Sequence, residues 1–142
     1  MSDRLLRVSL LVVSLAGIGV SAYLTYVHYR PAALVCTGSG GCETVQASSY
    51  AVLAGVPVAV LGLVVWIAAL GLTLRNTELA RTLTAALAIG SLAFVAYLVI
   101  LQLFVIEAIC VWCMANDVVL VPLLTALALL RLRRSTDRLP TT

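Results

Sequence analysis

Lysine is absent from this 142-residue chain, and charge of either sign is scarce: nine basic residues, all arginine, stand against six acids, so that 11% of the chain is charged. A soluble domain is about one quarter charged. With so few charges a soluble domain's surface cannot be kept hydrated, and the bilayer is the solvent that fits. A nucleic-acid footprint is missing too. The formal net charge of +3 comes from arginines in short clusters at the ends of apolar runs, with no basic face. Strand-like alternation of polar and apolar residues does not occur, which excludes a membrane β-barrel, and there is no internal repeat. Length sets the last limit. At ~20 residues per spanning helix, at most five or six spans fit, with no room for a second soluble domain.

What is present is apolar: 63% of the chain. Residues 8–27, 56–74 and 82–106 carry no charge, and 108–130 carries only Asp117. Each run is long enough to cross a hydrocarbon core of ~30 Å. The expected fold class is therefore all-α, an integral membrane four-helix bundle with an outer loop carrying a short helix. Its spans are expected near 6–28, 56–74, 82–106 and 108–131, within one membrane domain of residues 1–134, and 135–142 is expected to be a short, disordered cytoplasmic tail. The first run exceeds a 7–15-residue signal-peptide core and lacks a good cleavage site, so it reads as a retained helix. Gly17 and Ser21, four apart, offer a close-packing face. Pro57 suits the first turn of the second span, and Pro122 should kink the fourth.

The arginines orient the bundle. Arg4 and Arg7 precede the first span, Arg75 and Arg81 flank the middle turn, and Arg131, Arg133, Arg134 and Arg138 close the fourth. The loop at 29–55 holds only Arg30 against Glu43, and the third turn only Glu107. The positive-inside rule places both termini and the middle turn in the cytoplasm. The long loop and the third turn then face outward. Within that loop Thr-Gly-Ser-Gly-Gly at 37–41 is turn-forming, and 43–53 is expected to form a short helix along the outer face.

The cysteines carry the chemistry. Cys36 and Cys42 lie in the outer loop, and Cys110-Val-Trp-Cys113 opens the fourth span, so all four sit at or near the side where disulfides persist. Two close pairs suggest two dithiol/disulfide couples. A C-x-x-C at a helix start puts both sulfurs on one face, and the helix N-terminus favours the thiolate of Cys110. Exchange through mixed disulfides needs the mobility of a Gly-rich loop. Structural disulfides, a four-cysteine zinc site and inert buried thiols are the competing readings.

Cys36-x5-Cys42, Ser48, Tyr50, Gly55, Pro57 and Cys110-Val-Trp-Cys113, with the run Cys-Glu-Thr-Val-Gln-Ala-Ser-Ser-Tyr-Ala-Val-Leu-Ala-Gly-Val-Pro at 42–57, resemble the vitamin K epoxide reductase family, its bacterial members in particular. The resemblance covers the four-helix core. It implies a bundle around a lipid-soluble quinone (menaquinone, ubiquinone or phylloquinone), in the bacterial inner (cytoplasmic) membrane, which supports disulfide formation in exported proteins. It further implies that Cys113 faces the quinone, that Cys110 exchanges with Cys42, and that Cys36 exchanges with a secreted thioredoxin-like (DsbA-like) protein. Ser48 is implied to sit over the site. Many bacterial members carry a fused thioredoxin-like domain, whereas this sequence ends at Thr142, so the partner is expected to act in trans.

Asp117 stands where animal members have a tyrosine, a departure that favours plain quinone reduction over epoxide chemistry. Cys110, Cys113 and Asp117 fall at i, i+3 and i+7, on one helix face, and an acid inside a span is a functional candidate by default. Asp117 is expected either to supply a proton to the reduced quinone or to pair with Asn116 and fix packing, and both residues are candidates for the quinone site. His28, Tyr26 and Tyr29 read as an interfacial belt. Trp112 and Tyr50 read as belt residues or a quinone lid, Gln102 and Glu107 as interhelical or interfacial, and Trp66 and Phe94 as lipid or core contacts. Three functions compete: a quinone-linked thiol oxidase (with vitamin K reduction as a variant), a small multidrug-type transporter, and a metal-binding or structural membrane subunit.

Overall fold

The computed structural model describes residues 1–36 and 40–138, so the turn expected at 37–41 and the tail expected at 135–142 lie partly outside the described residues. Four long helical segments dominate the described residues. Helix α1 runs Asp3–Tyr29, and the loop after it carries α2 (Gly41–Ala47) and two short strands, β1 (Val52–Leu53) and β2 (Val56–Pro57). Helix α3 spans Val58–Leu74, and α4 spans Glu78–Ile100 before widening into a π turn over Leu101–Val105. The last segment starts as α5 (Val111–Met114), passes through a second π turn (Ala115–Leu120) and ends as α6 (Val121–Thr136).

Three of the four, Asp3–Tyr29, Glu78–Val105 and Val111–Thr136, are long and apolar enough to cross a membrane, while α3 is a shorter apolar helix of 17 residues. At 1.5 Å per residue α3 is about 26 Å long, at the lower end of what spans a bilayer. The protein is a helical membrane protein. Its outward faces present large apolar side chains such as Val12, Leu15, Ile67, Ile89 and Phe104.

Lipid offers no hydrophobic drive for helix association, so packing depends on close approach of small residues. Helix α1 packs mainly on α3 and α4 on α6, and contacts of α1 with α6 and α3 with α4 close the bundle. Gly17 is the tightest of the described glycines, because a Cβ there would lie 2.1 Å from Cδ2 of Trp66. Across the same interface Ser21 Oγ sits against Gly62, as the small-residue spacing anticipates. Ala69, Ala85, Ala88 and Ala128 fill the centre beside Leu6, Leu10, Trp66 and Leu124. Hydroxyls that would otherwise be stranded donate to carbonyls of their own helix, Thr73 to Ala69 and Thr84 to Ala80, both at 2.7 Å.

Four expectations need adjusting. The helix anticipated over 43–53 ends at Ala47, because Ser48 turns to extended backbone (ψ 154°). Beyond it, Ala54 (φ 52°) and Gly55 (φ 83°) form the two-residue turn of a hairpin pairing Leu53 with Val56, the left-handed geometry that two-residue hairpins use. Pro57 precedes α3 as its N-cap and is not within its first turn. Pro122 falls at the start of α6, directly after a π turn that already interrupts the regular ladder. Part of the expected tail is ordered: α6 continues to Thr136, with Ser135 buried against Glu78.

Candidate active site

The fourth span begins at Val111, three residues later than the apolar run suggests, and Cys110 is its N-cap in extended conformation (φ −92°, ψ 111°). The cysteine sulfur takes the role that a serine oxygen plays in ordinary caps. It accepts the backbone N–H of Cys113 at 3.3 Å and the Cys113 thiol at 2.7 Å. The two sulfurs are thus about 0.7 Å beyond disulfide bonding distance (~2.05 Å). Cys110, just outside the span, is held below the ordinary thiol pKa, chiefly by the hydrogen bond from Cys113. Burial opposes this, and the backbone N–H groups of Cys113 and Trp112 add to the lowering. Gln102 fixes the cap from behind: its buried Oε1 accepts the Cys110 N–H at 3.0 Å, and its own carbonyl accepts from Ala108 at 3.1 Å. Gln102 can reach back in this way because it lies in the π turn ending α4, a geometry that frequently marks functional positions.

The outer loop brings the second pair alongside. Cys36 and Cys42 are joined as a disulfide. Cys42 is fully buried in one cluster with Cys110, Leu24 and Val27, and Cys36 packs on that cluster half-buried. Helix α2 sits so low on the span that a Cβ at Gly41 would come 2.3 Å from the Ile109 carbonyl oxygen. A clasp holds the segment leading to Cys36. Trp112 Nε1 donates to the Val35 carbonyl at 2.8 Å, the Val35 N–H donates to the Tyr23 hydroxyl at 2.8 Å, and the two rings pack 5.1 Å apart. The indole between the two cysteines of the C-x-x-C therefore grips the backbone next to the outer pair.

Beneath α2 lies a cavity of ≈ 140 Å³ with apolar walls from the long helices and a polar set of Ser21, Gln46, Ser48, Tyr50, Ser91, Gln102, Cys113, Asn116 and Asp117. Gln46 Nε2 approaches Cys113 Sγ at 3.8 Å. Ser48, the residue capping α2, donates its hydroxyl to the Val45 carbonyl at 2.7 Å. Asn116 accepts from Trp66 Nε1 at 2.9 Å and donates to Asp117 Oδ1 at 3.0 Å. Asp117 is buried.

Cys113, Ser48, Asn116 and Asp117 thus line one cavity. The shared helical face expected for Cys110, Cys113 and Asp117 is only partly realised. Cys110 is a cap residue outside the lining, and the π turn over 115–120 brings Asn116 and Asp117 into the cavity together. Other lining residues carry no such expectation from the sequence: Gln46 has no role there, Gln102 reads as interhelical or interfacial, and Trp66 and Phe94 as lipid or core contacts. A glutamine in an otherwise apolar run, eight residues before the first cysteine of the C-x-x-C, is the signal that could have singled out Gln102.

A small quinone ring fits this space. An apolar cavity of roughly 150 Å³ accepts benzene, and the present one is not sealed, so an isoprenoid tail can leave it. A dithiol at the wall of a ring-sized apolar cavity points to redox chemistry, and comparison with known families agrees: the model of the vitamin K epoxide reductase family matches residues 8–128. The chain belongs to the vitamin K epoxide reductase family. The match takes in all four cysteines and every residue of the polar set. Members are membrane redox enzymes that use quinones as redox partners, so the kind of function is a membrane quinone-linked thiol oxidoreductase. Neither alternative class gains support. The Cys36–Cys42 disulfide withdraws two thiolates from any zinc site, and among the described residues no group of three or more His, Cys, Asp or Glu could hold a metal ion. A transporter has no use for the paired sulfurs.

Proposed function

We propose that this member of the vitamin K epoxide reductase family takes electrons from a secreted thioredoxin-like protein and passes them through its two cysteine pairs to a lipid-soluble quinone, so that the partner can put disulfides into exported proteins. The observation that carries the proposal is the order of burial: Cys36 half-buried, Cys42 and Cys110 buried together, and Cys113 at the cavity wall. In the same reading, residues 1–134 form one four-span domain of a bacterial inner membrane, with both termini cytoplasmic and the cysteines outside.

A bound quinone supplies an acceptor for two electrons and two protons. The Cys110–Cys113 dithiol gives up that pair of electrons and its two protons as its sulfurs join. Cys113 delivers from the cavity wall, while Cys110 closes the bond from the cap. Asp117 stands in the cavity to relay one of those two protons, giving up its own and regaining it from the dithiol, held in place by Asn116, which Trp66 fixes in turn. Ser48 and Gln46 line the wall over Cys113. The Cys42 thiolate then attacks Cys110, breaking the inner disulfide and releasing Cys113. Cys36 attacks Cys42 in that mixed disulfide, which frees Cys110 and closes the outer pair. Each attack conserves thiols and disulfides. The partner dithiol reopens Cys36–Cys42 and leaves oxidised. Asp117, in place of the tyrosine of animal members, favours quinone over epoxide as the acceptor.

Trapping tests the order. A thioredoxin-like protein lacking its resolving cysteine should form a mixed disulfide with the wild-type chain and with Cys110→Ser, and none with Cys36→Ser. An adduct that persists in Cys36→Ser but disappears in Cys110→Ser would overturn it.

A further inference from the structure

At the end of the bundle opposite the cysteines, three arginines from three helices turn toward the α3–α4 connection. Arg7 of α1 donates to the Leu74 carbonyl at 2.8 Å. Arg81 of α4 and Arg131 of α6 share one acceptor, Asn76 Oδ1, at 2.8 and 3.3 Å. Arg131 also lies within electrostatic reach of both Arg7 and Arg81. Like charges so close are costly to bury without compensation, and compensation among the described residues is thin. Glu78 is the carboxylate beside the group, 3.5 Å from Arg81, and its other oxygen is engaged by Ser135. Asp3, also within reach of Arg131, is ion-paired with Arg138 and Arg134.

The unused donors point the same way. Arg131 is 4% exposed, yet its Nη1 has no hydrogen-bond partner among the described residues. The Nε atoms of Arg7 and Arg81 are likewise buried and unpartnered. Each arginine of the group therefore holds one buried N–H in reserve. Guanidinium forks match the oxygens of phosphates and carboxylates, and the carboxylates beside this group are already engaged. Basic pockets between membrane helices are also where lipid phosphates are held.

We propose that Arg7, Arg81 and Arg131 form a binding site for a phosphate group, carried either by an anionic lipid headgroup or by free phosphate, that ties α1, α4 and α6 together at this end of the bundle. The site is separate from the thiol chemistry, and its occupancy is read without any turnover.

The full chain is placed in nanodiscs of pure phosphatidylcholine, of phosphatidylcholine with phosphatidylglycerol, and of pure phosphatidylcholine with inorganic phosphate added. Thermal unfolding is followed in each, and lipid retained by the released protein is counted by native mass spectrometry. The wild type should melt several degrees higher with phosphatidylglycerol if the phosphate is a lipid's, or with inorganic phosphate if it is free. Arg131→Gln should weaken the responding ligand about fivefold, the effect of one basic residue near an anionic surface. Arg7→Gln, at a half-buried position, is the second variant in case the buried substitution does not fold. Arg133→Gln, an exposed arginine outside the group, removes the same charge and should bind as wild type does. Equal responses in Arg7→Gln, Arg133→Gln and wild type, or no response to either phosphate source, overturn the proposal.

Discussion

Gly17 couples helix packing to the cavity, and Gly17→Ala tests that coupling. The added Cβ would lie 2.1, 2.2 and 2.6 Å from Cδ2, Cε2 and Cε3 of Trp66. Carbon atoms prefer ~3.5 Å or more, so the indole must retreat by about 1.4 Å or the helices must part. Trp66 cannot make that move and keep its 2.9 Å bond to Asn116 unless the helix carrying Asn116 follows. Overpacking of this kind costs about 1–3 kcal/mol, and the lost hydrogen bond adds about 0.5–1.5 kcal/mol. Together they predict a loss of roughly 1.5–4.5 kcal/mol, or a fall of about 5–15 °C in Tm. Gly19→Ala is the control: on the same helix, a Cβ at Gly19 meets nothing within 4 Å, and that variant should match or slightly exceed wild type, since alanine is the better helix former. Unfolding in detergent gives the stability arm. Steady-state turnover against a soluble naphthoquinone gives the second, where KM should rise in Gly17→Ala because Asn116 lines the cavity. If Gly17→Ala is as stable as Gly19→Ala and keeps the wild-type KM, the coupling from Gly17 through Trp66 to Asn116 is refuted.

Other substitutions probe the remaining contacts. Trp112→Phe keeps the ring beside Tyr23 but removes the N–H that holds the Val35 carbonyl, so the outer pair should be reduced severalfold faster by a small thiol, as stopped-flow thiol titration would show. Gln102→Leu leaves the buried Cys110 N–H without its acceptor and removes a polar group from the cavity lining, which should cost about 1–3 kcal/mol in denaturant unfolding. Asp117→Asn retains an oxygen to accept from Asn116 but removes the acid. Quinone turnover should drop about 100-fold, as loss of a general acid implies, and unchanged turnover across pH would assign Asp117 to packing alone.

The apolar runs were enough to read the architecture, because in lipid every backbone group must be satisfied within a helix and length then sets the count. Gly17 and Ser21 were legible for the same reason. Local deviations were not. Regular periodicity assigns Cys110 to a helix and puts it on a face with Asp117. The cap at Cys110 and the π turn over 115–120 depend on contacts from elsewhere in the chain, notably Gln102, and no local pattern encodes them. The helix over 43–53 was overextended because no Gly or Pro interrupts it before Ala54. Ser48 ends it with a side-chain bond to Val45 that competes with the helical ladder. The cysteines were visible as two pairs, but the partners that tune them, Gln46, Gln102 and Trp112, came into view only once the bundle was closed. The arginine group was hidden for the opposite reason: the sequence presents Arg7, Arg81 and Arg131 only as markers of orientation, whereas the fold turns them inward to Asn76 and Leu74.

The central claim is that the Cys110–Cys113 dithiol is oxidised by a quinone in the adjoining cavity. Its most direct test is an anaerobic count of free thiols in the full chain, with Cys36–Cys42 left oxidised, before and after addition of a soluble naphthoquinone. The expected result is loss of two thiols per chain, with tryptic mapping of the new disulfide to Cys110–Cys113 and no loss at Cys113 in Cys110→Ser. Two thiols that persist in the presence of quinone, or an equal loss in a variant whose cavity is filled by Ser21→Phe, would contradict it.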